Sequence, residues 1–249
     1  MVTVEMPIVF VGYMGAAGAG KSTLVDKIIS LNINNVQPHT YYHTQRALAD
    51  GMRGALSLLM RRTTDVFKDA GVNTTAYDNV QWAELMQNPA TKAPFRGLQQ
   101  QFGTEVCRTL FGEDCWTALL KHRVERDYGS PYSDTPPMIR QYAPSALIVH
   151  VPDIRFENEA QFILNEGGIL VRVKRPALQS TLTTAEARHS SEQDDYLFSV
   201  FWERCMTFTN IEGSTANPGM CGPAVRNFYA CLEKEIDERM IAIRTKSLE

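Results

Sequence analysis

No stretch of this 249-residue chain approaches the roughly 20 consecutive apolar residues that a membrane-spanning helix requires. The first residues read as a strand, not as a charged segment followed by a signal-peptide core. Cysteine is sparse: five residues, an odd number, with no C-x-x-C pair. That excludes a disulfide framework and a paired-cysteine zinc site, and implies reduced thiols in a cytoplasmic protein. A strong excess of one charge is also lacking. The formal net charge of -3 argues against a nucleic-acid partner, and the absent apolar run argues against a membrane. His39 and His43 stand four apart without the glutamate of H-E-x-x-H, so they read as loop or helix residues and not as metal ligands. Neither a G-x-S-x-G nucleophile motif nor an internal repeat occurs. What is present is 44% hydrophobic and 21% charged residues, a globular balance, in a length that suits one α/β domain with insertions.

Against this plain background one motif stands out. Gly15-Ala16-Ala17-Gly18-Ala19-Gly20-Lys21-Ser22 is a complete G-x-x-x-x-G-K-[ST] string. The apolar run Ile8–Val11 before it reads as a buried strand, and Thr23–Ile29 after it reads as an amphipathic helix. Small residues let backbone N–H groups close around phosphate oxygens, and the helix N-terminus adds the positive end of its dipole. Residues 15–23, Thr23 included, are therefore the candidate nucleotide-binding segment, with Lys21 on the β- and γ-phosphates of ATP and the Ser22 hydroxyl on Mg²⁺.

Beyond the loop, helical spacing recurs from Leu48 to Met60 and, in two pieces around 111–114, from Phe95 to Arg126, with Asp114 placed to cap the second piece. The stretch 71–94 is polar and turn-rich. Ala146–Val151 reads as a buried strand ending at Pro152-Asp153, with a helix from about Asn158 to Asn165. Ile169–Val173 reads as the next strand, ending at Lys174-Arg175. Phe208 marks a last short strand and residues 224–243 a closing helix. Alternating strands and helices predict a three-layer α/β fold, a parallel sheet with helices on both faces, whose ligands lie beyond the carboxyl ends of the strands. The expected organisation is a single domain: a core of 1–45, 140–175 and 206–249, a helical acceptor-binding region at about 46–139, and a lid at about 176–205. The phosphate loop, Asp153 to Arg155, and Lys174 to Arg175 converge at the same edge of that core.

A GTP switch protein would carry N-K-x-D and D-x-x-G, and neither string occurs. A mechanical ATPase would show an apolar strand ending in Asp-Glu, whereas the strand here ends Val-Pro-Asp-Ile-Arg. A small-molecule kinase remains. Several blocks then carry a resemblance: Leu48-Ala49-Asp50-Gly51-Met52-Arg53, the R-x-L-x-Q-x-x-G-T-E string from Arg96 to Glu105, the D-x-R-F-x-N-E string from Asp153 to Glu159, and Asn210-Ile211-Glu212-Gly213-Ser214. In this order they resemble the bacteriophage-type deoxynucleoside monophosphate kinases, of the phosphate-loop nucleoside monophosphate kinase superfamily. The stretch between Arg61 and Pro94, and most of the segment 176–205, depart from the pattern.

The resemblance implies phosphoryl transfer from ATP, with Mg²⁺, to a deoxynucleoside monophosphate in a cytoplasmic setting, that of a host cell. Lys21, Arg155, Arg175 and Asp153 are the expected catalytic residues, and Ser22 and Asp153 the expected metal contacts. Asp153 alternatively caps a helix, and Arg155 alternatively pairs with Glu157 or Glu159. Asp50, Arg53, Arg96, Gln100, Thr104, Arg108, Trp116, Arg155 and Glu159 form the expected acceptor site, with Trp116 alternatively a core residue. Other acceptors of the same fold, of the phosphomevalonate or dephospho-coenzyme A kind, and a non-catalytic ATP-binding role stay open. So does pairing as a homodimer.

Overall fold

The spine of the fold is β1 (Ile8–Met14), whose side chains alternate between two buried faces. Val9, Val11 and Tyr13 face one core, together with Leu24, Val25 and Ile28 of α1 (Lys21–Asn34) and with the apolar side of the closing helix. Phe10 points to the other face, edge-on to Phe162 at 5.4 Å. A Cβ on Gly12 would strike Ile163 and Ile154 there. Near-continuous apolar strands of this kind are what a parallel sheet buried on both faces requires.

The computed structural model describes residues 6–34, 41–77, 79–88, 90–128, 145–176, 194–210 and 222–246. Among them, β1, β2 (Tyr41–Gln45), β3 (Ala146–Val151), β4 (Ile169–Lys174) and β5 (Cys205–Thr209) form one sheet in the order β2-β3-β1-β4-β5, every pairing parallel. The expected three-layer α/β architecture is thus the observed one. Gly12 lies opposite Val151, and Met14 opposite Arg172, so the exits of β3 and β4 flank the exit of β1.

The helices are α2 (Ala49–Asp69), α3 (Trp82–Gln87), α4 (Arg96–Gln100), α5 (Thr109–Phe111), α6 (Cys115–Tyr128), α7 (Glu157–Asn165), α8 (Asp194–Phe201) and α9 (Pro223–Lys246). Between α4 and α5 the chain stays helical but widens into a π-helix over Gln101–Arg108. The break expected around 111–114 is present: Gly112 has a φ of 90°, and Asp114 stands before α6, its carbonyl accepting the Ala118 N–H at 2.9 Å. None of the helices, among the described residues, is long and apolar enough to cross a membrane. Cys107, Cys115, Cys205 and Cys231 are free thiols.

By internal contacts the chain forms two compact units, Met1–Ala47 with Lys121–Glu249, and Leu48–Leu120. The first holds the sheet. The second is helical around its own small core of Met52, Leu56, Trp82 and Met86, with Phe95, Phe102 and Trp116 packed against it.

One element departs from the sequence reading. His43 is a buried strand residue in β2, not a loop or helix residue. Its ring stacks on His150 of β3 at 5.2 Å and its Nδ1 lies 2.9 Å from His150 Nε2, while His150 Nδ1 lies 2.8 Å from the Tyr13 hydroxyl. These contacts join three polar side chains inside the sheet and lower the cost of burying them. Within the segment read as a lid, α8 covers residues 194–201, where Phe198 lies 3.5 Å from the Arg172 guanidinium and 5.2 Å from Lys174 Nζ. Cation–π contact docks this helix on β4. Residues 177–193 of that segment lie outside the described residues, as does His39.

Candidate active site

The loop after β1 is built by backbone constraints. Gly15 has a φ of 146°, and a Cβ there would fall 2.4 Å from the Val173 carbonyl oxygen of β4. Gly18 and Gly20 also take positive φ, at 80° and 97°. Only glycine adopts these values without strain. Ala19 N–H donates to the Ala16 carbonyl at 3.1 Å, closing a turn, and Leu24 N–H donates to the Gly20 carbonyl at 2.9 Å as α1 begins. Residues 15–20 therefore wrap the N-terminus of α1, whose unspent N–H groups favour an anion. Lys21, the first residue of α1, turns its ammonium back onto the carbonyls of Gly15 and Ala16, the latter at 3.0 Å. Held on the rim of the loop, that charge is placed for the oxygens of a polyphosphate. Ser22 follows it at the start of the same helix.

Two strand exits close on this loop. After β3, Ile154 N–H donates to the Tyr13 carbonyl at 3.2 Å, which fixes the turn bearing Asp153 beside the end of β1. Arg155 is exposed. Glu159 is buried, at 4% exposure, and its Oε2 accepts the N–H groups of Arg155 at 2.8 Å and Phe156 at 3.1 Å. The Glu159 carboxylate thus caps α7 and holds the Arg155 backbone. A glutamate at the third helical position meets an otherwise orphaned helix N-terminus in this way. After β4, Arg175 Nη1 donates to the Gly18 carbonyl at 3.2 Å. After β5, Asn210 Nδ2 donates to the Ala19 carbonyl at 3.2 Å. Lys21, Ser22, Asp153, Arg155 and Arg175 are thus gathered by the carboxyl ends of β1, β3 and β4. Nothing in the string Asn-Ile-Glu-Gly-Ser says that the Asn210 amide reaches back to a loop 191 residues earlier.

The other expected acceptor residues belong to the helical unit. On α2, Arg53 Nη2 and Asp50 Oδ1 form an ion pair at 2.5 Å, with the arginine side chain 15% exposed. Arg96 and Gln100 lie on α4, and Thr104 and Arg108 on the π-helix. An i→i+5 bonding pattern widens the helix, so residues four and five apart share a face; Gln100, Thr104 and Arg108 fall on one such row. Trp116 supports this segment from α6. Its indole N–H donates to the Gly103 carbonyl at 2.9 Å, its ring packs on the small helical core, and a Cβ on Gly103 would lie 2.7 Å from Met52 Sδ. The Trp116 indole N–H is thus used within the unit.

The residues fit a nucleotide triphosphate: a glycine-shaped loop, a helix N-terminus, a lysine on the rim and an arginine at its flank. They also fit a Mg²⁺ bound chiefly by phosphates, with the Ser22 hydroxyl and Asp153 as protein oxygens. Among the described residues no group of three or more His, Cys, Asp or Glu could hold a metal by itself.

No family model matches the chain, and no curated protein does. Among solved structures, a gluconokinase from Sinorhizobium meliloti 1021 matches over 95% of this chain and 99% of its own, at 12% identity and a TM-score of 0.34.

Proposed function

We propose that this chain is a phosphate-loop phosphotransferase that moves the γ-phosphoryl group of ATP to a deoxynucleoside monophosphate. The observation that carries the reading is the loop itself: a complete G-x-x-x-x-G-K-S string, wrapped on the N-terminus of α1 in the middle of a parallel sheet, with Asp153 and Arg175 at the exits of the two flanking strands. The finer choice of acceptor rests on the R-x-L-x-Q-x-x-G-T-E and D-x-R-F-x-N-E strings and on their resemblance to the bacteriophage-type kinases. The first string falls on α4 and the π-helix, a helix form frequent at functional sites.

In the proposed reaction, the bond from the γ-phosphorus to its bridging oxygen breaks and a bond to an acceptor phosphate oxygen forms, giving ADP and the nucleoside diphosphate. Little proton chemistry is demanded, because a phosphate monoester is already an anion near neutral pH. The protein's task is to gather like charges and neutralise them. Loop N–H groups and Lys21 hold the donor oxygens, Arg155 offers a bidentate fork to the acceptor phosphate, and Arg175 lies at the loop's edge. Magnesium, bound with help from Ser22 and Asp153, would supply further charge neutralisation. Gln100, Thr104 and Arg108 are proposed to contact the acceptor.

The test is ADP release from Mg-ATP with each deoxy- and ribonucleoside monophosphate in turn. Release with one or more deoxynucleotides supports the reading, and Lys21→Ala is expected to lower it by at least about 100-fold with the melting temperature unchanged. Confirmed ATP binding with no release for any monophosphate contradicts it.

A further inference from the structure

A phosphate loop works only if its peptide planes are turned correctly. In a planar trans peptide the carbonyl and the following N–H point in opposite directions, so whatever holds the carbonyl outward aims the N–H inward. Two side chains hold successive carbonyls of this loop: Arg175 holds Gly18 O at 3.2 Å and Asn210 holds Ala19 O at 3.2 Å. They are not equivalent. The N–H paired with the Gly18 carbonyl is that of Ala19, and it is spent on the Ala16 carbonyl at 3.1 Å. The N–H paired with the Ala19 carbonyl is that of Gly20, the last loop residue before α1. Asn210 therefore governs the peptide whose N–H adjoins the helix N-terminus.

The asparagine is well placed for this. Its own N–H donates to the Lys174 carbonyl at 2.7 Å, which extends the β4–β5 ladder by one step, so the side chain is carried by the sheet. Its amide nitrogen is so close over the loop that a Cβ on Gly20, at a φ of 97°, would lie 2.9 Å from it. Gly20 is thus needed twice, for its conformation and for the room Asn210 takes.

We propose that Asn210 is a positioning residue for the donor phosphates: it holds the Ala19–Gly20 peptide so that the Gly20 N–H faces the bound polyphosphate. It acts through the backbone and touches no reacting atom. The inference rests on the reading of the loop as a phosphoryl-donor site.

The experiment is calorimetric binding of MgADP and of inorganic tripolyphosphate to the full chain and to Asn210→Ala and Asn210→Asp. Loss of one neutral hydrogen bond predicts affinity for both probes about tenfold weaker in Asn210→Ala. Asn210→Asp, whose carboxylate can only accept and so repels the Ala19 carbonyl, weakens both further. Melting temperatures without ligand stay close to the parent's, and the KM for ATP rises while the acceptor KM does not. Affinity for both probes unchanged in both variants overturns the proposal. So does weaker binding of MgADP with tripolyphosphate unchanged, which would put Asn210 on the base or sugar. If the parent chain binds neither probe, the donor-site reading falls, and this inference with it.

Discussion

The buried chain Tyr13–His150–His43 makes the stability of the sheet depend on pH in a calculable way. His150 is fully buried, with Tyr13 on one ring nitrogen and His43 on the other. Burial first, and the neighbouring His43 second, push its imidazole well below the ordinary value of 6.5. In the unfolded chain it takes up a proton as the pH falls through that value, while in the folded chain it stays neutral. Stability is then full above about pH 6.5 and is lost as the pH falls toward the depressed folded value. The loss from this one site is about 1.4 kcal/mol per pH unit within that window. His150→Leu removes the term. It also strands the Tyr13 hydroxyl and one nitrogen of His43, at about 1–3 kcal/mol for each group left unsatisfied. Urea unfolding of parent and variant at about pH 7.5, 6.5 and 5.5 spans the window above the carboxylate range. The variant is expected to be less stable at the highest pH and to lose less on acidification, by about one proton's slope. An equal slope in both chains would refute the account of a neutral buried relay.

Three further outcomes follow from the geometry. Gly15→Ala pushes a methyl group against the Val173 carbonyl, at a φ that side chains avoid; the expected cost is about 1–3 kcal/mol in denaturant unfolding, with weakened ADP binding, and an unaltered midpoint would show that the loop yields freely. Glu159→Gln keeps an acceptor for the Arg155 and Phe156 N–H groups but removes its charge; about 1 kcal/mol of stability should be lost, with the acceptor KM rising more than the KM for ATP, and equal effects on both would argue against a link to Arg155. Arg155→Ala should raise the acceptor KM at least about tenfold while ADP affinity stays as in the parent; kinetics unchanged with the monophosphate would remove Arg155 from the site.

Much of the sheet was legible because its strands are near-continuous apolar runs bounded by turn residues, and the phosphate loop because its glycines are forced by local backbone geometry. What escaped depends on contacts distant in sequence. Tyr-Tyr-His-Thr-Gln looks too polar for a buried strand until His150 is known to bond His43 on one side and Tyr13 on the other. Helix α8 lies at the edge of a polar stretch and is docked by Arg172 and Lys174 through Phe198. The π-helix is invisible because the spacing of Arg96, Gln100, Thr104 and Arg108 suits an α-helix equally well. In the D-x-R-F-x-N-E string the last residue, Glu159, holds the backbone of its own turn, a contact the string alone does not reveal.

The most direct test of the central claim is the fate of the γ-phosphoryl group. With ATP labelled in that group and the deoxynucleoside monophosphates supplied together, mass spectrometry of the products reads where the label goes. The account predicts labelled deoxynucleoside diphosphate formed in step with ADP, and none with Lys21→Ala. Label appearing only in free phosphate, or remaining in ATP while the protein is saturated with it, would contradict it.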